Sequence, residues 1–323
     1  MIKTLWIDAP GGPEMLRLAS TPTPRPGASE VLVRQTVIGV NFVDIYHRRG
    51  LHGLPAYPGI PGVEATGVVE ETGEGVTDFA LGDRVAYAGL PAGGYAEMRA
   101  LPAGRLVKLP DDLDDRQVAG SFLRGLTAFL LLKRLGVAPE TGQTVLVQAA
   151  AGGLGLILVQ WLKRLGTTTL GTVGLEEKAE IARRFGLDHA ILYKDVDFVA
   201  AVKDLTGGAG VEFAIDGVGG ETLEKTLASV RPFGIVANVG ESGGVLRPLA
   251  VTALTNRFLI RPSVLAYLMD DAAFQEAAAV WFAMLRDGLD VSVGQDYAFE
   301  EAARAHADLE EGRTSGAVRL VVS

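Results

Sequence analysis

The pattern of apolar and polar positions changes near Thr144. Before it, short runs of β-branched and aromatic residues alternate with glycine- and proline-rich turns, which predicts a mostly β region. A longer pattern of helical period then predicts one helix from about Asp115 to Leu135. The strands predicted in this first region are 31–33, 37–40, 67–71 and 84–88.

From Thr144 onward, apolar strand patterns alternate with amphipathic helix patterns. Such alternation with short loops predicts an α/β fold, a doubly wound parallel sheet with helices on both faces. Because that sheet is then complete, we expect the final predicted strand, 317–322, to join the β-rich region. The predicted strands are 144–148, 168–173, 190–192, 211–215 and 234–239, and the predicted helices are 154–165, 176–185, 199–205, 222–230, 272–287 and 300–311.

A glycine-rich segment, Gln148–Gly155, connects the first predicted strand of this region to its first helix. Its register fits the dinucleotide-binding fingerprint, with Ala150, Gly152 and Gly155 in the three glycine places. Gly152 lets the backbone approach a pyrophosphate, and Gly155 lets the helix pack closely on its strand. The alternative is an ordinary strand-to-helix turn.

The end of the second strand distinguishes between the two dinucleotides. NAD-selective sites carry an acidic residue there that binds the ribose 2′-hydroxyl. In this chain Val173 and Gly174 occupy that place, and Lys178 and Tyr193 are available for a 2′-phosphate. The sequence therefore favours NADP(H); the alternative for Lys178 is an ordinary solvated lysine of the helix.

Composition and charge exclude several classes of protein. The chain of 323 residues contains no cysteine, so disulfides and thiolate metal sites are impossible. Its net charge of −9 disfavours nucleic acid and anionic membranes as partners. Neither a signal peptide nor a run long enough to span a bilayer is predicted. We expect a cytoplasmic protein with no membrane or nucleic-acid partner.

Motifs in the first region carry a resemblance to a known superfamily. The segments 38–46 and 58–69, the run Gly82-Asp83-Arg84-Val85 and the glycine loop resemble the medium-chain dehydrogenase/reductase superfamily. The resemblance implies a GroES-like, mostly β catalytic domain, 1–124 and 265–323, and a Rossmann dinucleotide-binding domain, 125–264.

Further motifs resemble the zinc-free NADPH:quinone oxidoreductases of the zeta-crystallin type within that superfamily. They are 121–127, 171–174 with Lys178, 216–219 and 261–263. Zinc-dependent members carry a cysteine near Asn41 and a histidine in a Gly-His-Glu triplet, where this chain has Gly62-Val63-Glu64. The four histidines, at positions 47, 52, 189 and 306, also lack metal-ligand spacing. We therefore predict no metal.

The resemblance implies that Asn41, Tyr46 and Arg261 lie around the nicotinamide of NADPH and are the catalytic residues. The Tyr46 hydroxyl could donate to the oxygen that becomes negative during hydride transfer. Arg261 could supply positive charge or bind the cofactor. The alternatives are a packed aromatic for Tyr46, a turn residue for Asn41 and a loop residue bonded to a carbonyl for Arg261.

The resemblance also implies a set of cofactor contacts. Two departures from the family pattern leave substrate preference open: Glu241, which could bond the nicotinamide amide or face solvent, and His52 near the substrate entrance. The implied cofactor-binding residues are Thr127, Gly152, Gly153, Gly155, Gly174, Lys178, Tyr193, Gly240, Ser242 and Arg313.

The predicted function is NADPH-dependent reduction of quinones by hydride transfer without a metal. An enone, alkenal or enoyl-thioester reductase is the first alternative, and exposed Arg48 and Arg49 would be its candidates for a carrier phosphate. A protein that binds NADPH or RNA without catalysis is the second alternative. We expect a homodimer, with 243–248 as the edge segment of the Rossmann sheet.

Overall fold

The computed structural model describes residues 1–322, and the chain divides into two compact units. The first comprises Met1–Leu126 and the described residues from Val264 onward, and the second comprises Thr127–Ser263. In chain order the strands are β1 (Ile2–Ile7), β2 (Leu16–Thr21), β3 (Glu30–Gly39), β4 (Glu64–Thr72), β5 (Arg84–Ala88), β6 (Met98–Pro102), β7 (Val107–Lys108), β8 (Thr144–Val147), β9 (Thr168–Val173), β10 (His189–Leu192), β11 (Val211–Asp216), β12 (Val230–Asn238), β13 (Phe258–Ile260), β14 (Gly294–Ala298) and β15 (Ala317–Val321).

The helices are concentrated in the second unit and in the C-terminal part of the first. Short 3₁₀ turns at Pro13–Met15, Ala103–Arg105, Val251–Leu254 and Phe299–Glu301 accompany them. The α-helices are α1 (Phe42–Arg49), α2 (Asp115–Val118), α3 (Phe122–Phe129), α4 (Gly153–Arg164), α5 (Glu176–Arg184), α6 (Phe198–Leu205), α7 (Gly220–Ser229), α8 (Val264–Tyr267), α9 (Asp271–Arg286) and α10 (Ala302–Glu310).

The sheet of the first unit has the order β14-β15-β3-β4-β5-β7, and β6 also pairs with β3. β15 runs antiparallel to β3, with Leu320 opposite Ile38. The expectation that the final strand joins the β-rich region is therefore confirmed. A separate antiparallel pair, β1 and β2, was not predicted from the sequence.

Two predicted strands, 31–33 and 37–40, are a single strand in the structure, β3. The polar residues between them suggested a break. Gln35 is nevertheless buried, and its Nε2 donates to the carbonyl oxygen of Gly94 at 2.9 Å. The pairing of β3 with β4 shifts register between Gln35 and Val37, so the strand continues through an irregularity.

The prediction of one helix from Asp115 to Leu135 is wrong. The chain leaves helical geometry after α2, and Gly120 has a φ of +80°, which favours glycine. The backbone N–H groups of Gly120 and Phe122 donate to Oε1 of Glu64, at 2.7 and 2.9 Å. The buried Glu64 carboxylate thus accepts the free N–H groups at the start of α3. A π-helical turn, Leu130–Arg134, follows α3.

The second unit contains a parallel sheet with strand order β10-β9-β8-β11-β12-β13. Numbered from β8, this order is 3-2-1-4-5-6, the order of dinucleotide-binding Rossmann folds, with the switch point between β8 and β11. The predicted doubly wound fold is confirmed. The expected edge segment is wrong, because 243–248 forms no strand and β13 occupies that edge.

Each unit has its own apolar core. In the second unit, Leu146, Leu170 and Val236 from neighbouring strands are buried in one cluster with residues of α6 and α7. In the first unit α3 and α9 approach so closely that a Cβ on Gly125 would lie 2.1 Å from the ring of Trp281. Within residues 1–322 no helix combines the length and apolarity needed to cross a bilayer.

Candidate active site

The glycine loop of the second unit packs tightly against the start of the helix that follows it. Ala149 has a φ of +54°, and Gly152 is the N-cap of α4. A Cβ on Gly155 would lie 2.4 Å from the Ala149 carbonyl oxygen and 2.7 Å from that of Ala150. The first turn of α4 is therefore held against the loop, and its free N–H groups suit a pyrophosphate. The chain thus fits a dinucleotide at this loop.

Ala150, in the first glycine place of the fingerprint, is accommodated by a glycine on the adjacent strand. A Cβ on Gly171 of β9 would lie 2.5 Å from the Cβ of Ala150. The Ala150 methyl group occupies the space that any other residue at position 171 would need. The departure from the fingerprint is therefore compensated within the second unit.

A buried polar network holds this loop in place. Thr172 Oγ1 accepts from the Ala149 N–H at 3.1 Å and donates to Gln148 Oε1 at 2.6 Å. Gln148 Nε2 donates to Thr226 Oγ1 on α7 at 3.0 Å. This network was not predicted from the sequence, in which its signal is a glutamine directly after an apolar strand.

Three residues that could bind a 2′-phosphate surround the end of β9. A Cβ on Gly174 would lie 3.3 Å from the Tyr193 hydroxyl and 3.4 Å from Lys194 Cε. Burial lowers the pKa of Lys178, and the charge of Lys194 lowers it further. The structure thus brings Lys178, Tyr193 and Gly174 together and adds Lys194, which the sequence analysis missed. Its signal was a second cation directly after the predicted third strand.

The loops after β11 and β12 contact each other through backbone and small side chains. A Cβ on Gly240 would lie 2.7 Å from the Gly217 carbonyl oxygen, and Ser242 Oγ donates to that oxygen at 3.1 Å. Asp216 Oδ1 accepts the N–H groups of Val218 and Gly219 at 2.7 and 2.9 Å. Burial raises the pKa of this carboxyl. Both predicted residues, 240 and 242, thus lie at the carboxyl ends of strands.

Arg261 is held by two side chains of the second unit. Its Nη1 donates to Asn238 Oδ1, and its Nη2 lies 3.5 Å from Glu241 Oε1. Glu241 is buried, and its Oε2 accepts the Leu246 N–H at 3.3 Å. The alternative in which Glu241 faces solvent is therefore wrong. The Arg261 side chain is 42% exposed although part of its charge is balanced.

Asn41 lies at the N-cap of α1 in the first unit, and it is buried. Its Nδ2 donates to Glu64 Oε2 at 2.6 Å, and its backbone N–H donates to Asp44 Oδ2 at 2.8 Å. Burial raises the pKa of Glu64, whereas the nearby Arg124 charge and the bond from Asn41 lower it. Asn41 is thus fixed by two buried carboxyl groups that the sequence analysis did not single out.

Tyr46 is also on α1, one turn after Asn41. Tyr46 is 7% exposed, and its ring packs on His52 with 5.2 Å between the ring centroids. The Tyr46 hydroxyl can donate a hydrogen bond, and the titratable side chain next to its ring is His52. Thr127, a predicted cofactor residue, lies within α3 at the start of the second unit.

The three arginines of the first unit considered from the sequence, Arg48, Arg49 and Arg313, are all in ion pairs. Arg313 follows α10 and pairs with Asp308 Oδ1 at 2.6 Å and with Glu311. The expectation of an exposed Arg48 is wrong, because Arg48 is 1% exposed and its Nη2 lies 2.6 Å from Glu310 Oε2. Arg49 is exposed and pairs with the same carboxylate at 2.7 Å. Arg48 is therefore not available to a carrier phosphate.

Metal ligands do not gather in the part of the chain that the structure describes. Among residues 1–322 no group of three or more histidine, aspartate or glutamate side chains could hold a metal ion. His47 and His306 are buried, and burial lowers the pKa of His47 to about 4.

Comparisons with known proteins match both units. Residues 27–111 match the family model described as the alcohol dehydrogenase GroES-like domain, and residues 153–280 match the zinc-binding dehydrogenase model. The second description names a metal whose cysteine and histidine ligands this chain lacks, since it has no cysteine and Val63 in the histidine place.

Full-length relatives narrow the family further. The chain is 40% identical to the 2-haloacrylate reductase of a Burkholderia species, covering 99% of each chain. It is 38% identical to the quinone oxidoreductase of Pseudomonas aeruginosa, covering 99% of this chain and 100% of the relative. The Escherichia coli quinone oxidoreductase complexed with NADPH superposes with a TM-score of 0.95 at 34% identity, over 99% of each chain. The chain therefore belongs to the zeta-crystallin-like quinone oxidoreductase branch of the medium-chain dehydrogenase/reductase superfamily, with a GroES-like and a Rossmann domain.

Proposed function

We propose that this protein reduces quinones with NADPH by hydride transfer and without a metal. The observation that carries the proposal is the cation cluster of Lys178 and Lys194 beside Tyr193 at the end of β9, where an NAD-binding protein would place a carboxylate. The NADPH-bound E. coli relative and the full-length quinone oxidoreductases support it.

Backbone groups and a few side chains would hold NADPH. Gly152 and Gly155 allow close approach of the backbone, and the N–H groups of the first turn of α4, which begins at Gly153, suit a pyrophosphate. Lys178, Tyr193 and Lys194 would bind the 2′-phosphate by charge-assisted hydrogen bonds. The remaining proposed contacts are Thr127, Gly174, Gly240, Ser242 and Arg313.

The proposed catalytic residues are Asn41, Tyr46 and Arg261. NADPH supplies the hydride, so the protein has to orient the acceptor, exclude water and stabilise the charge that develops on oxygen. The Tyr46 hydroxyl is suited to donate to that oxygen. The fixed Asn41 amide and the partly balanced charge of Arg261 are suited to orienting rather than to proton transfer.

The decisive experiment measures NADPH consumption against a panel of benzoquinones, naphthoquinones, enones and 2-haloacrylates. We expect turnover of small quinones and negligible oxidation of primary alcohols with NADP⁺. Metal analysis of the purified protein should find no stoichiometric zinc, and a chelator should leave the rate unchanged. Activity that disappears on chelation and returns with zinc would contradict metal independence.

Reduction of an activated alkene is the second candidate, favoured by the 40% identity to a 2-haloacrylate reductase. It needs the same cofactor residues and differs only in the acceptor. Rapid turnover of alkenes with none of quinones would replace the first proposal. Tight NADPH binding with no turnover of either class would favour a non-catalytic nucleotide-binding protein.

We further propose a cytoplasmic homodimer. The edge strand β13 has an open side, and Phe258 on it is 53% exposed while nearby Val251 is 84% exposed. Apolar side chains beside an unpaired strand favour pairing with a second copy. Light scattering should give twice the chain mass, and Phe258→Asp should shift the protein toward monomer. A wild-type monomer at all concentrations would rule out the dimer.

A further inference from the structure

Four buried side chains of the first unit form a continuous chain of hydrogen bonds that ends at Asp44. Arg48 Nη1 lies 3.4 Å from His306 Nδ1, and His306 Nε2 lies 2.8 Å from the Tyr95 hydroxyl. The Tyr95 hydroxyl donates to Asp44 Oδ2 at 3.2 Å. The chain therefore connects α10 with α1 through the loop that precedes β6.

The direction of donation in this chain is fixed by Arg48. A guanidinium has no acceptor, so His306 Nδ1 must accept, and the proton of neutral His306 must be on Nε2. Burial and then the charge of Arg48 lower the pKa of His306 to about 3, so the ring is neutral at ordinary pH. Nε2–H therefore donates to Tyr95, whose own proton is directed at Asp44.

Arg48 is held rigidly at the start of the chain. Its Nη2 is 2.6 Å from Glu310 Oε2, and its Nε donates to the Gly11 carbonyl oxygen at 3.1 Å. Arg49 balances the other oxygen of Glu310. Each donor of Arg48 in these contacts has a defined acceptor, so its charge polarises His306 and Tyr95 toward Asp44.

Asp44 passes the effect of the chain to Asn41. The same oxygen, Oδ2, accepts from Tyr95 and from the Asn41 N–H, whereas Oδ1 is buried without a hydrogen-bond partner among the described residues. An ionised carboxylate accepts both bonds more strongly than a protonated one. The charge of Asp44 thus determines how firmly Asn41 and the first turn of α1 are held.

We propose that Arg48, His306 and Tyr95 form a directed series of hydrogen bonds that favours the ionised form of Asp44, and that ionised Asp44 positions Asn41 for reduction. The inference rests on the proposed function only for its kinetic test. Asp44, Tyr95, His306 and Arg48 are positioning residues, since each acts through Asn41.

The surroundings of Asp44 raise its pKa overall. Burial raises its pKa from 3.8 to about 7, against the lowering effect of the bonds from Asn41 and Tyr95. Other charged or titratable groups that act on Asp44 are Glu64 on β4, which raises its pKa, and Arg124 on α3, which lowers it. Tyr87 on β5 is also electrostatically coupled to Asp44. Turnover should therefore fall as the pH decreases through about 7.

The test is the pH profile of kcat for quinone reduction in three variants. Tyr95→Phe removes a donor to the anion, so the acidic limb of the profile should move to higher pH by about one unit. Asp44→Asn cannot ionise, so its lower kcat should no longer depend on pH in this range. His306→Gln keeps an N–H donor for Tyr95 and should shift the limb less than Tyr95→Phe.

Tyr87→Phe is the matched control, because Tyr87 is a buried tyrosine of the same unit whose hydroxyl donates to neutral Gln35. Burial raises the pKa of Tyr87, so its phenol is uncharged near pH 7 and its charge coupling to Asp44 is absent there. Its acidic limb should coincide with that of the wild type. The proposal is overturned if Tyr95→Phe is folded and active with a wild-type profile. If Tyr95→Phe does not fold, identical profiles for wild type and Asp44→Asn overturn it instead.

A measurement without turnover separates this inference from the proposed function. A carboxyl whose pKa is raised on folding destabilises the folded state as pH rises from 3.8 through about 7. The fall in the free energy of unfolding that Asp44 causes over this pH range should be absent in Asp44→Asn. In Tyr95→Phe the fall should continue to higher pH. Equal pH dependence in all three proteins refutes the role of this series of hydrogen bonds, whereas a wild type that ignores quinones refutes only the proposed function.

Discussion

The two units hold their buried carboxyl groups in different ways. In the second unit, Asp216 accepts N–H groups only two and three residues further along the chain. In the first, Asp44 accepts from Tyr95, 51 residues away, and Glu64 accepts from Phe122, 58 residues away. Asp216 is thus held by local backbone geometry, although the glycine loop of the same unit also depends on the long-range bond from Gln148 to Thr226. Asp44 and Glu64 of the GroES-like unit are held by groups that the complete fold brings together.

The glycine loop gives the largest expected effect, because local geometry leaves no alternative packing. Gly155→Val places carbon atoms where the Ala149 and Ala150 carbonyl oxygens lie, which must push α4 away from the loop. We expect NADPH affinity, measured by calorimetry, to fall at least about 100-fold, or about 2.7 kcal/mol.

Gly53→Ala is the control, since a Cβ there meets nothing within 4 Å and the backbone is not in the left-handed region. It should bind NADPH as the wild type does. Unchanged NADPH affinity in a folded Gly155→Val protein would show that the loop does not receive the cofactor.

The next prediction concerns the side chains of the GroES-like unit. Tyr46→Phe removes one hydroxyl from a buried ring on α1. If it donates to the developing oxyanion, kcat should fall about 10-fold to 100-fold while NADPH affinity is retained. Tyr57→Phe is the matched control, because the Tyr57 hydroxyl donates to the His47 carbonyl oxygen at 2.7 Å. Full activity of Tyr46→Phe would remove its catalytic role and leave the quinone assignment intact.

Compensation between β9 and the glycine loop is testable by a double-mutant cycle. Gly171→Ala brings a methyl group within 2.5 Å of the Ala150 Cβ, so the free energy of unfolding should fall by about 1–3 kcal/mol. Ala150→Gly in the same protein should restore more than half of the loss, with Leu187 accounting for the rest. Additive effects of the two substitutions would mean that the contact does not determine the residue at position 150.

The contrast between the units also explains what could be predicted from the sequence. The order of strands and helices from β8 to β12, the glycine loop and the choice of Lys178 follow from local periodicity and spacing, and the return of β15 follows because the parallel sheet is already complete. Glu64 is recognisable in the sequence as part of the Gly62-Val63-Glu64 triplet, but no local pattern shows that it accepts two N–H groups at the start of α3. The break at Gly120 was missed for the same reason. Long-range hydrogen bonds leave no periodic signal in a single sequence.

The smallest effect separates the two lysines at the end of β9. Lys178 is predicted from the sequence, whereas Lys194 is identified only from the structure. Equal contributions of the two lysines to NADPH binding would show that sequence spacing identifies half of the charge at the proposed 2′-phosphate subsite. We expect Lys178→Ala and Lys194→Ala each to weaken NADPH binding about tenfold, roughly 1.4 kcal/mol, through loss of one charge-assisted phosphate contact. NADH binding should be unchanged in both, because NADH has no 2′-phosphate, and Lys203→Ala on α6 should change neither affinity. Equal losses for NADPH and NADH would mean that these lysines support the fold instead of recognising the phosphate. Wild-type protein that binds both dinucleotides equally would contradict the choice of NADPH itself.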